Sequence, residues 1–227
     1  MKFLDLEEYG DMSGTVYKGD MNISNKGLTS LEGMPKEITG NLDCSRNKLT
    51  SLKDMPKVIS GNFDCCCNRL TSLLGMATNV GGNFNCSANQ LISIKSIAKK
   101  IGGDLNCSVN KLKSLKGVQN YVYGDLNCYY NNLTSLECMP NSVGGDFDCS
   151  YNKLTSMFCI FDNVEGKIIY DNEIYPYHIE ARDYREKNPN LSDIVFEIRM
   201  YQQTKCEYFI TQKEYEEYVE EHPEYAF

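Results

Sequence analysis

The segment Leu42-Asp43-Cys44-Ser45-Arg46-Asn47-Lys48-Leu49-Thr50-Ser51-Leu52 decides the fold, because its pattern returns every 21 residues along the chain. The cysteine, and the asparagine three positions after it, recur as Cys44, Cys65, Cys86, Cys107, Cys128 and Cys149, and as Asn47, Asn68, Asn89, Asn110, Asn131 and Asn152. Repeats begin at Gly19, Gly40, Gly61, Gly82, Gly103, Gly124 and Gly145, and an eighth is cut short after Gly166. Self-similarity at such a period is typical of solenoids, in which stacked repeats share one core.

The apolar residues within one repeat predict its geometry. Val80, Gly82, Phe84 and Cys86 fall at every second position, and Gly81, Asn83 and Asn85 take the positions between them. Alternation with period two indicates a strand with one buried face. Later in the repeat, Met55-Pro56 excludes a central strand and predicts an irregular return. One strand per coil would build a parallel sheet about 34 Å long over seven coils.

The segment 42–52 resembles a leucine-rich repeat of the short bacterial type, and similar repeats occur in bacteriophage proteins. The resemblance covers about residues 19–174 and implies a parallel sheet on a concave face with an irregular convex side. One feature departs from the family pattern: Ile38 lies four residues before Leu42, where the family has three. The departure lengthens the alternating strand and leaves a general β-solenoid as the alternative.

The charge distribution separates the solenoid from the C-terminal tail. Residues 1–170 hold 17 basic and 17 acidic residues, whereas residues 171–227 hold 6 basic and 14 acidic residues, so the tail accounts for the net charge of −8. We therefore divide the chain into an N-terminal cap segment at 1–18, a solenoid at 19–174 and an acidic helical cap at 175–227. The tail covers the open end of the solenoid; alternatively, it is a second contact surface or a mimic of nucleic acid.

Composition also bears on partners and location. The acidic total and the lack of a basic stripe in the linear sequence predict no nucleic-acid binding. No apolar run approaches the roughly 20 residues of a membrane span, and acidic residues occupy positions 5, 7 and 8, where a signal peptide would be apolar. We expect a cytoplasmic protein of a bacterial or infected bacterial cell, with no membrane partner.

The repeated cysteines and asparagines have structural interpretations. Inward-facing free thiols behave as small hydrophobes, and one column at a spacing of 21 offers neither a CxxC pair nor a tetrahedral cluster. Each asparagine amide can satisfy backbone groups at the bend that follows the strand. The serines from Ser30 to Ser156, also 21 apart, suit local hydrogen bonds. The sequence therefore predicts no metal and no cofactor.

Outward positions supply the candidate partner-binding residues. Aspartates and asparagines line two columns, and tyrosines enter beside them near the end of the repeats. Tyrosine next to aspartate is typical of protein interfaces, although such columns can also merely solvate a sheet face. The candidates are Asp104, Asp125, Asp146, Asp148, Tyr129, Tyr130, Tyr151 and Arg46. They predict a protein partner with a basic or mixed surface, bound by a chain that is monomeric when free.

Catalytic signatures are missing from the sequence. The two histidines, His178 and His222, lie in the tail without a motif, and no P-loop, GxSxG or HExxH sequence is present. We predict a non-enzymatic protein-binding module. The resemblance to phage repeats implies a host protein as partner, with inhibition of host defence as one outcome. The alternatives are a structural virion or assembly component, and the acidic tail acting as a nucleic-acid mimic.

Overall fold

The chain winds into a parallel β-solenoid of about seven coils, each 21 residues long, in a computed structural model that describes residues 1–136, 138–154 and 164–171. The predicted parallel solenoid is confirmed. By internal packing the chain divides into two units, Met1–Leu154 with Cys159–Asp171, and Thr155–Phe158 with Asn172–Phe227. All described residues belong to the first unit, and the helical cap predicted at 175–227 lies outside them.

Two rows of short parallel strands run along the solenoid. The long sheet contains Met21–Asn22, Leu42–Asp43, Phe63–Asp64, Phe84–Asn85, Leu105–Asn106, Leu126–Asn127, Phe147–Asp148 and Ile168–Ile169. The short sheet contains Val16–Tyr17, Glu37–Ile38, Val58–Ile59, Asn79–Val80 and Lys100–Ile101, and Tyr121–Val122 pairs separately with Ser142–Val143. Every strand pairs with its equivalent one coil away, as Leu105 does with Leu126 and Phe84.

Each coil therefore has two strands, and the prediction of one alternating strand per coil was wrong. Asn79–Val80 and Phe84–Asn85 are separated by a corner at residues 81–83. At this corner the Asn83 N–H donates to the side-chain Oδ1 of Asn62 at 2.8 Å instead of to a backbone carbonyl. A Cβ at Gly82 would overlap that same Oδ1, so a glycine is required where the chain bends.

The core is a stack of equivalent layers, one for each coil. In the second coil the buried apolar side chains are Leu42, Cys44, Leu49, Leu52, Met55 and Ile59. Successive layers contact one another directly, and the rings of Phe63 and Phe84 stack with centroids 5.2 Å apart and planes 10° apart. Offset stacking of this kind is favourable beyond the area that it buries.

The N-terminal residues lie against the first coil. A short 3-10 helix at Phe3–Asp5 buries Phe3, whose ring stacks on that of Tyr9 at 5.4 Å. The Phe3 N–H donates to the Ser30 carbonyl at 3.0 Å, and the Met12 N–H donates to the Gly33 carbonyl at 2.8 Å. These bonds cover core that the first coil would otherwise expose. Within the described part of the chain, no helix has the length and apolar character to cross a membrane.

Candidate functional site

A column of aspartates and asparagines occupies the corner between the two strands of each coil. We call it the corner ladder; its members are Asp20, Asn41, Asn62, Asn83, Asp104, Asp125 and Asp146. The Oδ1 atom of each residue accepts the backbone N–H of the residue one coil later, at 2.7 to 3.0 Å. Three candidate aspartates, Asp104, Asp125 and Asp146, thus lie at the corner and use one carboxylate oxygen to join coils.

A second polar column ends the strands of the long sheet. It contains Asn22, Asp43, Asp64, Asn85, Asn106, Asn127 and Asp148. Each Oδ1 accepts the N–H two residues later, at 2.8 to 3.1 Å, which is the geometry of an Asx turn. The candidate residue Asp148 also accepts the Ser150 hydroxyl at 2.6 Å. The polar columns therefore have intramolecular partners of their own.

The asparagines three positions after the cysteines connect neighbouring coils. Asn89 is representative: its Nδ2 donates to the carbonyls of Cys65, Cys86 and Ser87 at 3.1 to 3.2 Å. Its Oδ1 accepts the Leu70 N–H at 3.0 Å. Both ends of the amide are thus satisfied in a nearly solvent-free position. Backbone groups left without a sheet partner at this bend are paired by the side chain.

The six column cysteines are all free thiols with no exposed surface. Burial raises the pKa of Cys107 and of Cys149 to about 12. The pKa of Cys65 lies well above its usual value, because of burial first and the flanking thiols of Cys44 and Cys86 second. Thiols that hold their protons this strongly are poor nucleophiles and poor metal ligands. In the described ranges, no group of three or more His, Cys, Asp or Glu side chains could hold a metal ion.

Two further cysteines reach the surface beside this column. Cys66 is half-buried and Cys67 is exposed. Burial raises the pKa of Cys66, and its hydrogen bond with the Asp64 carboxylate acts in the same direction. The adjacent positions 65 and 66 thus face opposite ways, as expected for neighbouring residues at the end of a strand.

One backbone feature was missed by the sequence analysis. The second residue after each column cysteine has a left-handed conformation, with φ between 51° and 56°; these residues are Arg46, Cys67, Ala88, Val109, Tyr130 and Tyr151, and Asn25 is their equivalent in the first coil. Left-handed φ is uncommon outside glycine, asparagine and aspartate, and a β-branched residue such as Val109 is a genuine outlier. We call this set the left-handed column; most of its side chains point into solvent.

Three candidate tyrosines meet at the C-terminal end of the long sheet. The ring centroids of Tyr129 and Tyr151 are 5.1 Å apart, those of Tyr129 and Tyr130 6.0 Å, and those of Tyr130 and Tyr151 6.4 Å. Tyr130 is 56% exposed and Tyr151 61% exposed, both on the left-handed column. We call these three residues the tyrosine cluster. The Tyr151 N–H donates to Asp171 Oδ1 at 2.8 Å, which anchors its backbone.

The other candidate residues lie at different distances from this cluster. Asp148 is the last residue of the strand Phe147–Asp148 and lies three residues before Tyr151. Asp146 lies at the corner before that strand. Arg46 shares the left-handed column with Tyr130 but lies four coils away, which is about 19 Å at the spacing of parallel strands. Arg46 is therefore not part of the tyrosine cluster.

Two exposed tyrosines were not among the candidates. Tyr121 is 59% exposed and Tyr123 is 66% exposed, in and just after the strand Tyr121–Val122 that pairs with Ser142–Val143. The sequence could have indicated that these tyrosines are exposed. The equivalent positions one coil earlier hold Lys100 and Gly102, which are not apolar. No protein-family model, curated protein or solved structure matches this chain.

Proposed function

We propose that this chain is a non-enzymatic protein-binding solenoid of the leucine-rich-repeat type, which holds its partner at the C-terminal end of the long sheet. The tyrosine cluster is the observation that supports the proposal. Exposed rings in mutual contact are already ordered, so a partner that covers them loses little side-chain entropy. Tyrosine is also enriched among the residues that dominate binding energy at protein interfaces.

The surroundings of the cluster favour a partner with a basic or mixed surface. Asp146 and Asp148 precede Tyr151 in the same coil, and Asp125 lies one coil before Asp146 at the same corner. The Oδ1 atom of each corner aspartate accepts a backbone N–H of the next coil, which fixes the position of the carboxylate. Fixed charge beside an aromatic patch steers lysine and arginine side chains to the interface and raises the association rate.

The use of the repeated polar residues supports a binding role over catalysis. The corner ladder, the Asx turns and the asparagine column all bond to backbone groups of the solenoid. The buried thiols retain their protons. Catalysis needs a local constellation of groups with matched pKa values, whereas a column repeated in every coil is a structural device.

The resemblance to bacteriophage repeats extends the proposal to a biological setting. The partner is then a protein of the infected bacterial cytoplasm, and binding inhibits a component of host defence. Inhibition requires that the tyrosine cluster cover a functional surface of that protein. The same affinity would also serve recruitment, so the captured protein must be assayed for its own activity with and without the solenoid.

The test compares two pairs of substitutions. Tyr130→Asn/Tyr151→Asn removes two of the three rings of the cluster, and asparagine suits the left-handed backbone, as Asn25 does at the equivalent position. Tyr121→Asn/Tyr123→Asn removes equal aromatic area on the short-sheet side. The native chain is used as bait in bacterial lysate, and the captured protein is then purified and titrated by calorimetry against all three chains.

We expect one stoichiometric partner whose affinity falls at least about thirtyfold for the cluster pair and stays within about twofold for the control pair. Equal loss for both pairs, or no loss for either, contradicts the assigned surface. A triple substitution, Asp104→Asn, Asp125→Asn and Asp146→Asn, removes three charges and keeps the corner acceptors, as Asn41 and Asn62 do. We expect it to slow association and to weaken its dependence on salt.

A further inference from the structure

In four successive coils the segments that follow the asparagine column carry charge of one sign, whereas the equivalent segments before and after them contain Glu32 and Glu137. We call residues 48–53, 69–74, 90–95 and 111–116 the basic side. Its charged residues are Lys48, Lys53, Arg69, Lys95, Lys111, Lys113 and Lys116, all exposed, and it contains no aspartate or glutamate. Residues 1–170 have equal numbers of basic and acidic residues, but the two kinds of charge occupy different sides of the coils. Most coil aspartates lie at the corners and on the long sheet.

Winding of the chain brings these cations together. The backbone N–H groups of Lys48, Arg69 and Lys111 each donate to a carbonyl of the preceding coil, at 2.8 to 2.9 Å. Equivalent positions are thus stacked about 4.8 Å apart. The linear sequence hides this stripe because its members are 21 residues apart. The ion pairs within 4 Å between described residues are Lys2–Glu32 and Lys26–Glu8, so no cation of the basic side is paired with a described carboxylate.

Two aliphatic side chains project from the same side. Leu74 is 72% exposed and Ile92 is 65% exposed, although both belong to coils whose neighbouring positions are buried. Leu74 occupies the position held by Lys53 one coil earlier and by Lys95 one coil later. Ile92 is followed one coil later by Lys113. Neither side chain contributes to the core, so burial within the solenoid does not account for them.

We propose that the basic side binds the surface of an anionic phospholipid membrane. The lysines and the arginine face headgroup phosphates, and Leu74 and Ile92 enter the boundary between headgroups and acyl chains. A polybasic patch combined with inserted apolar side chains gives reversible attachment, in which each signal alone is weak. The surface is distinct from the tyrosine cluster, so the proposal stands independently of the protein-binding function.

The mixture of residues favours a membrane over nucleic acid. Phosphate contacts to nucleic acid are made by cations, and single-stranded bases stack on aromatic or arginine side chains. The basic side has no aromatic residue, and two exposed aliphatic side chains would face a phosphate backbone without a partner. The cations of the basic side are irregularly spaced, because uncharged Gln90, Thr50 and Thr71 occupy positions that hold lysine or arginine in other coils. Lipid headgroups diffuse laterally and can meet charges at such irregular spacing. This proposal departs from the sequence expectation that the chain has no membrane partner.

Vesicle co-sedimentation of the full chain tests the proposal. The probes are vesicles of phosphatidylcholine alone and of phosphatidylcholine with phosphatidylserine, at low and high salt. Lys95→Gln/Lys113→Gln/Lys116→Gln removes three charges from the basic side. Lys57→Gln/Lys99→Gln/Lys100→Gln removes three exposed charges beside the short sheet, so both chains have the same net charge.

We expect binding to the serine-containing vesicles only, weakened by salt, and reduced about a hundredfold by the first triple substitution, since each cation near such a surface contributes about fivefold. The second triple should bind nearly as the native chain does. Leu74→Ser/Ile92→Ser should weaken binding at unchanged charge. Equal binding to both vesicle types, equal loss for both triples, or retention of a 30-nucleotide single-stranded DNA in place of vesicles overturns the proposal.

Discussion

Mild alkali should destabilise this solenoid far more than an ordinary domain of its size. The perturbation is a rise in pH from 8 to 9 in the presence of a reductant. Each of the six column cysteines is fully buried, and burial holds its pKa far above the range crossed in this step. In the unfolded chain the same thiols titrate near pH 8.5.

The direction and size of this change in stability follow from the linkage between proton binding and folding. Above pH 8 the unfolded chain loses thiol protons that the folded chain keeps, so the unfolded state binds fewer protons and stability falls as pH rises. One thiol with a reference pKa of about 8.5 loses about 0.7 kcal/mol between pH 8 and pH 9. Six such thiols together lose about 4 kcal/mol, a large part of the 5 to 15 kcal/mol that stabilises a typical domain.

Guanidinium titrations at pH 7, 8, 8.5 and 9, followed by circular dichroism, measure this loss. The reference pKa values of lysine and tyrosine lie near 10, above this window. Cys86→Ala removes one of the six buried thiols and should reduce the slope by about one sixth. A total loss below about 1 kcal/mol would refute the assignment of the column as protonated in the fold and titratable outside it.

Three other substitutions test the asparagine column, the left-handed column and the glycine at the corner. Asn89→Ala should cost about 3 to 5 kcal/mol because it leaves backbone groups of two coils unpaired, whereas the exposed Gln90→Ala should stay within about 0.5 kcal/mol; chemical denaturation compares them. Val109→Asn should raise the free energy of unfolding by about 1 kcal/mol, because asparagine tolerates the left-handed φ of 52°. A lower free energy of unfolding would contradict the strain argument. Gly103→Ala should cost more than 2 kcal/mol, since its Cβ would overlap Asn83 Oδ1, and a stability equal to that of the native chain would show that the corner adapts.

The sequence was sufficient to predict the coils but not their cross-section. A spacing of 21 that holds through six cysteines and six asparagines requires stacked, parallel, in-register coils. Alternation of Val80, Gly82, Phe84 and Cys86 is the same for a straight strand and for two strands joined at a corner. The two arrangements differ in the hydrogen bond from the Asn83 N–H to the side chain of Asn62, 21 residues earlier, which forms at the corner. A pattern read along one coil cannot reveal a partner in the next.

The surfaces were predictable to different extents. The meeting of Tyr129, Tyr130 and Tyr151 follows from their repeat positions, which place them one step or one coil apart. The left-handed column was hidden because its residue types vary from arginine to tyrosine. Its backbone is imposed by bonds between coils, such as that from the Arg46 N–H to the Cys66 carbonyl at 3.0 Å, and not by local preference.

The corner ladder has a direction, and that direction matches protein synthesis. In every pair the accepting side chain belongs to the earlier coil and the donating N–H belongs to the later one, from Asp20 and Asn41 through to Asp146 and Lys167. A coil that has left the ribosome therefore already presents the acceptor that its successor needs. The chain can be laid down one turn at a time, each turn templated by the last, without waiting for its C-terminus.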